Sequence, residues 1–369
     1  MKKSRLPAYV SAGRSALPNK PKTNFFKSAI RITGILCMEL LLLCAAGWGV
    51  LALYFFDHAS HDLRTTLAVL FALISLLALI GFVMPRWRWR MFLGYLALFA
   101  LLLYAWNSLT PSNTGDWQTD VAVLPYAVIN GDLITVHNIR DFDYRTDTDY
   151  TPGYYDKTFD MKNLAGVDLI AVYWMGPAIA HIFLSFDFQN DQHLAISIET
   201  RKHKGQGYST LQGFFRQYPI YYVVADERDV IRLRTNFRKD PSEDVYLYRI
   251  NGSVENGRRL FLAYMHKINT LRDKPEWYNT LTTNCTTAIW MLNRINPGHP
   301  SFSWKILASG YVPEYLYAIG RLDTNLPFAH LRRLALINAR AQAADDSADF
   351  SQLIRVGVPG EKTFGTPKK

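Results

Sequence analysis

The sequence predicts an all-α membrane domain of three transmembrane helices, followed by an α+β domain over residues 110–355. Three observations carry this. Long apolar runs are confined to the first 109 residues, short alternating patterns fill Val121 to Arg249, and helical periodicity follows them. The mean hydropathy of −0.04 is therefore an average over two dissimilar parts.

Residues 34–56, GILCMELLLLCAAGWGVLALYFF, carry one charge, Glu39, and are long enough to cross a hydrocarbon core of about 30 Å. Residues 65–84 and 91–109 are uncharged and apolar on every side, unlike core helices with a polar stripe. Orientation follows from the short flanks, where Lys and Arg stay on the cytoplasmic side. The basic tail, residues 1–32, holds Lys2, Lys3, Arg5, Arg14, Lys20, Lys22, Lys27 and Arg31, and the link between the second and third spans holds Arg86, Arg88 and Arg90. The link between the first two spans has only Arg64, and TPSNTGDWQTD after the third has no Lys or Arg. The N-terminus is expected in the cytoplasm of a bacterial inner (cell) membrane protein, and the domain after Thr110 in the periplasm. The length of the basic region and the two further spans argue against a cleaved signal peptide.

The net charge of +10 has this topological source. No basic stripe interleaved with aromatics suggests nucleic acid, and anionic lipid headgroups account for the flanks. Cys37 and Cys44 fall in the first span, so Cys285 is the lone cysteine of the second domain. A lone thiol in an oxidising compartment is either buried and inert or kept for its reactivity. The histidines form no HxH or HExxH spacing and no glycine loop suits a phosphate, so neither metal nor cofactor is expected.

Within the second domain, strands are expected at 133–139, 169–174, 182–188, 193–200, 221–225 and 245–248, and helices at 257–274, 285–295, 312–319 and 329–344. Residues 356–369 are polar and read as a disordered tail. In IFLSFDF and HLAISIE, matching apolar to apolar pairs 182 with 198, 184 with 196 and 186 with 194, which sets His181 opposite Glu199. An imidazole facing a carboxylate is how a general base is oriented, though a surface ion pair looks the same. Strict alternation also takes His181 off the apolar face that helices should cover, unless a bulge intervenes or the strand starts at Ile182.

In TLTTNCTTAIWMLNRINPG, Thr283 or Asn284 is a good N-cap and Asn296, Pro297 and Gly298 stop the helix. Cys285 is then in the first turn, where amide groups and the helix dipole favour a thiolate and hold an oxyanion. A small buried residue without chemistry is the alternative. The runs VHNIRDFDYRTDTDY, YWMGPAIAHIFLSF, SIETRKHKGQGYSTLQGFFRQYPIYYVVADERDVIRLRTN, PEWYNTLTTNCTTAIW and LPFAHLRRLALINARA resemble the family named for the N-terminal periplasmic domain of the Lnb-type lipoprotein N-acyltransferase, over roughly Trp117 to Gly360.

The resemblance implies a permuted papain-like α+β fold and a cysteine–histidine transacylase acting on membrane phospholipid or lipoproteins. Cys285 matches the nucleophile and His181 the base. Here the membrane helices precede the catalytic domain, unlike the Lnb arrangement. In the mechanism expected, His181, oriented by Glu199, assists Cys285 to attack an ester, and a thioester then passes its acyl group to an amine, alcohol or water. Asn284, Thr286 and Tyr208 are candidates for oxyanion contacts. Arg201, Lys202 and Lys204 are candidates for a lipid phosphate, with a solvated charge run as the plainer reading. Two other classes remain: a cysteine amidase or peptidase on cell-wall peptides, and a non-catalytic binding domain. An apolar channel favours acyl transfer, and an open polar groove favours peptide.

Overall fold

A computed structural model describes residues 23–56 and 60–360, with side chains from Phe26 onward. The chain divides into two compact units, Met1–Trp106 and Asn107–Lys369.

The first unit is helical: α1 (Thr23–Tyr54), α2 (His61–Val83) and α3 (Arg88–Asn107). All three are long and apolar enough to cross a membrane. Thr23 to Ile32, expected in the basic tail, instead form the first turns of α1, because nothing between Thr23 and Gly34 breaks a helix; residues 1–22 of that tail lie outside the described residues. The second span begins earlier than expected because Ser60 caps it, accepting a bond from the Leu63 amide. Leu42, Phe71, Ala78, Phe82, Tyr95 and Leu102 form the shared core. At Gly49 a side chain would strike the Phe71 ring, which explains the glycine there.

The second unit is a mixed α/β domain around one sheet. Its elements in order are β1 (Tyr126–Asn130), β2 (Leu133–Arg140), β3 (Asp143–Tyr144), β4 (Tyr150–Thr151), β5 (Tyr154–Asp160), β6 (Leu164–Tyr173), β7 (His181–Phe188), β8 (Gln192–Thr200), α4 (Thr210–Gly213), β9 (Ile220–Ala225), α5 (Glu227–Arg232) and β10 (Asp244–Arg249). Then come α6 (Val254–Asp273), α7 (Cys285–Asn293), α8 (Trp304–Leu307), α9 (Val312–Ala318), α10 (Phe328–Ala335), α11 (Asn338–Ala343) and α12 (Phe350–Leu353). The sheet runs β1-β2-β9-β8-β7-β6-β10, with β5 also on β2, while β3 and β4 pair apart. Every pair is antiparallel except β2 with β9.

Both faces of the sheet are covered, since the central strands are buried along nearly their whole length. Ile182, Leu184, Phe186, Leu194 and Ile196 pack under Leu260, Phe261, Tyr264, Ala288, Val312 and Leu331 on the first face. Phe183, Ala195, Tyr221, Val223 and Leu247 pack under Val230, Ile231, Ala341 and Phe350 on the second. The second face also holds a buried ionic cluster. Arg355 donates to Asp168 at 2.8 Å and to Glu227 at 2.6 Å, and Arg249 pairs with Asp168 at 2.6 Å and Asp187 at 2.9 Å. Burial opposes charge on Glu227, but Arg355, His193 and Ser185 together outweigh it and hold the carboxyl well below its usual range.

Two expectations are corrected. The single helix expected over 329–344 is broken, because Leu336 bridges to Tyr246 and the Ile337 amide donates to the Val245 carbonyl at 2.9 Å. Asn338 continues the lock, accepting from the Val245 amide at 2.8 Å and donating to the Glu243 carbonyl at 2.7 Å. The chain thereby caps the free edge of β10 and passes from one face to the other, Ala335 packing on the first and Ile337 on the second. The disordered tail does not begin at 356, since Val358 is buried in the second core; residues 361–369 lie outside the described residues.

Candidate functional site

The β7–β8 hairpin takes the expected register, Leu184 opposite Ile196 and Phe186 opposite Leu194. Its ladder stops at Leu184, so the outer residues of β7 and β8 are not paired to each other, although His181 is already paired to Val172 of β6. At this parting the imidazole and the carboxylate meet through a third group. His181 Nε2 donates to Ser197 Oγ at 2.7 Å and Ser197 Oγ donates to Glu199 Oε1 at 2.9 Å, while the direct His181–Glu199 separation is 3.7 Å.

Charge sets the direction of these bonds. Arg234 donates to Glu199 Oε1 at 2.9 Å and, with Arg238, to Glu243. Burial resists ionisation of Glu199, but Arg234 above all, then His181 and Arg238, hold its carboxyl well below the usual range. An ionised carboxylate only accepts, so Ser197 must donate to it and must accept from Nε2–H. The ring is thereby fixed as the Nε2–H tautomer, with Nδ1 the nitrogen that keeps a lone pair. Burial first, and Arg234 second, lower the imidazole to about 3. The imidazole is neutral at physiological pH.

Arg234 reaches Glu199 because α5 runs into a wide π turn, Leu233–Phe237, closed by the Arg238 amide on the Leu233 carbonyl at 3.0 Å. Its guanidinium lies over Phe183 at 5.7 Å, on the second face. The His181 ring shares that face, 5.7 Å from the same phenyl ring.

Cys285 opens α7 as expected and packs against the first core, on the other face. It meets the parted strands through the backbone: the amides of Ile182, Thr286 and Cys285 itself approach the sulfur. Neither a bulge nor a strand starting at Ile182 brings the imidazole onto the cysteine's face, because β7 starts at His181 itself. The thiol was expected below its free value. Burial instead pushes it above the ordinary 9.0, outweighing the three amides that lower it. Burial pushes the phenols of Tyr264 and Tyr278 upward, and a thiolate at Cys285 would add to both.

Of the supporting residues expected from sequence, Asn284 and Thr286 hold the start of α7. Asn284 is the N-cap, its side chain accepting from the Thr287 amide at 2.9 Å and donating to the Thr280 carbonyl at 2.8 Å. Thr286 donates to the Ile306 carbonyl at 2.6 Å, tying α7 to α8. The Thr286 hydroxyl proton is therefore engaged, whereas one Nδ2–H of Asn284 remains beside the amides named above. Tyr208 is half exposed, with its hydroxyl 3.5 Å from that of Tyr278. Arg201, expected to meet a lipid phosphate, is 2 % exposed, stacks on Trp117 and donates to the carbonyls of Val121 and Ala122. Lys204 pairs with Asp116 at the surface at 2.6 Å, and Lys202 is partly buried. Among the described residues no three His, Cys, Asp or Glu side chains gather as a metal site.

On the first face, against α7, is a cavity of about 130 Å³. Ile182, Leu184, Leu260, Ile289, Ile306 and Leu316 are among its walls, and Thr286 borders it next to Cys285. Asn251, Asn293, His299 and Arg321 contribute the polar part of the lining.

Residues 150–310 match the family model of the Lnb N-terminal periplasmic domain. That stretch contains His181, Ser197, Glu199, Arg234 and Cys285. No curated protein and no solved structure matches the chain.

Proposed function

We propose that the chain is a membrane-anchored, cysteine-dependent acyltransferase whose donor is a phospholipid or lipoprotein acyl ester. The apolar cavity carries the reading. Its walls include the residues that follow His181 and Cys285, and its aliphatic lining suits an acyl chain rather than a peptide, whose amides would go unpaired there.

The parting of β7 and β8 leaves no ladder between the thiol on one face and the imidazole on the other. A neutral thiol and a neutral imidazole favour general-base catalysis over a resting ion pair. His181 Nδ1 takes the thiol proton as sulfur attacks the ester carbonyl, the amides of Ile182, Cys285 and Thr286 receive the oxyanion, and the proton passes to the departing alcohol. The thioester is then opened by an amine, alcohol or water. Histidine on a strand before cysteine on a helix is also the order of a permuted papain-like enzyme. The three helices serve as spans in a bacterial inner membrane, with Arg86, Arg88 and Arg90 cytoplasmic and the domain after Asn107 periplasmic.

Intact-mass analysis of protein purified from its membrane tests this. A neutral-hydroxylamine-labile acyl adduct on Cys285, absent from Cys285→Ala, is expected. No adduct on Cys285 after incubation with phospholipid, or adducts only on Cys37 or Cys44, would overturn it.

A further inference from the structure

The surface beside the cysteine helix carries an apolar platform that the chemistry does not use. Tyr208, Leu211, Phe214 and Leu281 are 50 %, 46 %, 39 % and 49 % exposed. They belong to two segments held together by backbone-directed bonds. Thr280 Oγ1 donates to the Thr210 carbonyl at 2.9 Å, and the Thr280 amide donates to the Gly213 carbonyl at 3.2 Å. Gly213 permits the contact, since a side chain there would strike Thr280 Oγ1 and approach Tyr278. Tyr208 stacks on Tyr218, whose hydroxyl donates to Gln212 Oε1 at 2.6 Å, so the ring belongs to the same rigid piece.

The platform is tied at two places. Towards the site, Asn284 of the α7 cap donates to the Thr280 carbonyl, one residue from Leu281. Towards the N-terminal side of the domain, Arg216 donates to Asn107 at 3.2 Å and Trp277 Nε1 donates to the Leu109 carbonyl at 3.1 Å. Asn107 ends α3 and Leu109 follows it by two residues, a reach of at most about 7 Å. Exposed Leu, Phe and Tyr side chains tied to the residues that follow directly on an apolar helix in the chain suit the lipid interface, where apolar bodies sink and a phenol keeps its hydroxyl wet.

We propose that Tyr208, Leu211, Phe214 and Leu281 form a bilayer-docking surface that rests on the same membrane its helices cross. This rests on the membrane-anchored reading but not on the acyl-transfer step. Docking there brings the Cys285 helix to the lipid surface, so a lipid acyl ester need not be carried through water.

Spin-label accessibility in lipid nanodiscs tests it with the full chain, in a variant whose native cysteines are replaced by serine. Labels are placed by Leu211→Cys and Leu281→Cys, with Gln189→Cys as reference. Gln189 is exposed at the tip of the β7–β8 hairpin, beyond the end of β7 away from His181, roughly 23 Å along an eight-residue strand. The ratio of oxygen to nickel-chelate accessibility is expected to be several-fold higher at both platform labels than at the reference. Equal ratios would place the platform in water and overturn the proposal. Labels shielded from both reagents would mean that protein covers it, which also overturns it. Because Cys285 is absent from these variants, neither result bears on whether the wild-type chain carries a thioester.

Discussion

Acid destabilisation isolates the imidazole. His181 is lowered to about 3 from an ordinary 6.5, so between those values the unfolded chain holds one proton more than the folded one. Stability then rises with pH, and the contribution is lost as pH falls through 6.5. Between pH 7 and pH 5 the loss from this group is about 2 kcal/mol, since the unfolded imidazole takes up its proton while the folded one does not. Glu199 works in the same direction, but its ordinary 4.5 places most of its loss below that window. His181→Gln retains a donor for Ser197 and does not titrate. Comparing the two proteins at pH 7 and pH 5 cancels every other titrating group. At about 2–4 °C per kcal/mol for a domain of this size, the wild type should lose about 4–8 °C more in Tm than the variant, read by tryptophan fluorescence of the detergent-solubilised full chain. Equal acid losses would refute the claim that His181 is held neutral in a buried site.

Ser197→Ala should release the ring from the Nε2–H tautomer, visible in the histidine ¹⁵N shifts; unchanged shifts would deny Ser197 its orienting role. Alkylation of a variant retaining only Cys285 should have its midpoint above pH 9, because burial raises the thiol, and a midpoint near 7 would contradict that. Arg355→Met should cost about 3–5 kcal/mol by leaving buried Glu227 without its cation and Asp168 with Arg249 alone, against near-neutrality if the cluster is well solvated. A reporter fused after Arg90 should be cytoplasmic and one fused after Gly115 periplasmic; the reverse pattern would invert the topology.

The strands that alternation marks were legible, including the hairpin register, because a one-residue slip would have turned Leu184 and Phe186 out of the core. β1 and β5 were missed for the converse reason: YAVIN and YYDKTFD are mostly only partly buried and carry little pattern. Cys285 was legible from its N-cap, and Glu199 from the hairpin. Ser197 was not, because a serine on a buried strand carries no signal until a neighbour needs its hydroxyl. Arg234 was hidden more deeply, since its reach depends on a π turn that no residue in LRTNF announces. The break at Leu336 and Ile337 has no Gly or Pro; it is imposed by the unpaired edge of β10, a tertiary demand that overrides helix propensity.

Arg355 gives the fold an order of completion. Asp168 is made early, on β6, yet the cation that neutralises it together with Glu227 comes from a segment 187 and 128 residues further along the chain. Until that segment arrives, closing the second face would bury two carboxylates with only Arg249 between them and the apolar core, so a nascent chain lacking its last helices should keep that face open. The domain is thus assembled like a vault whose keystone is cut last: a ribosome-bound chain ending before Arg355 should remain sensitive to protease, and one extended past Val358 should become resistant, with no gradual gain between.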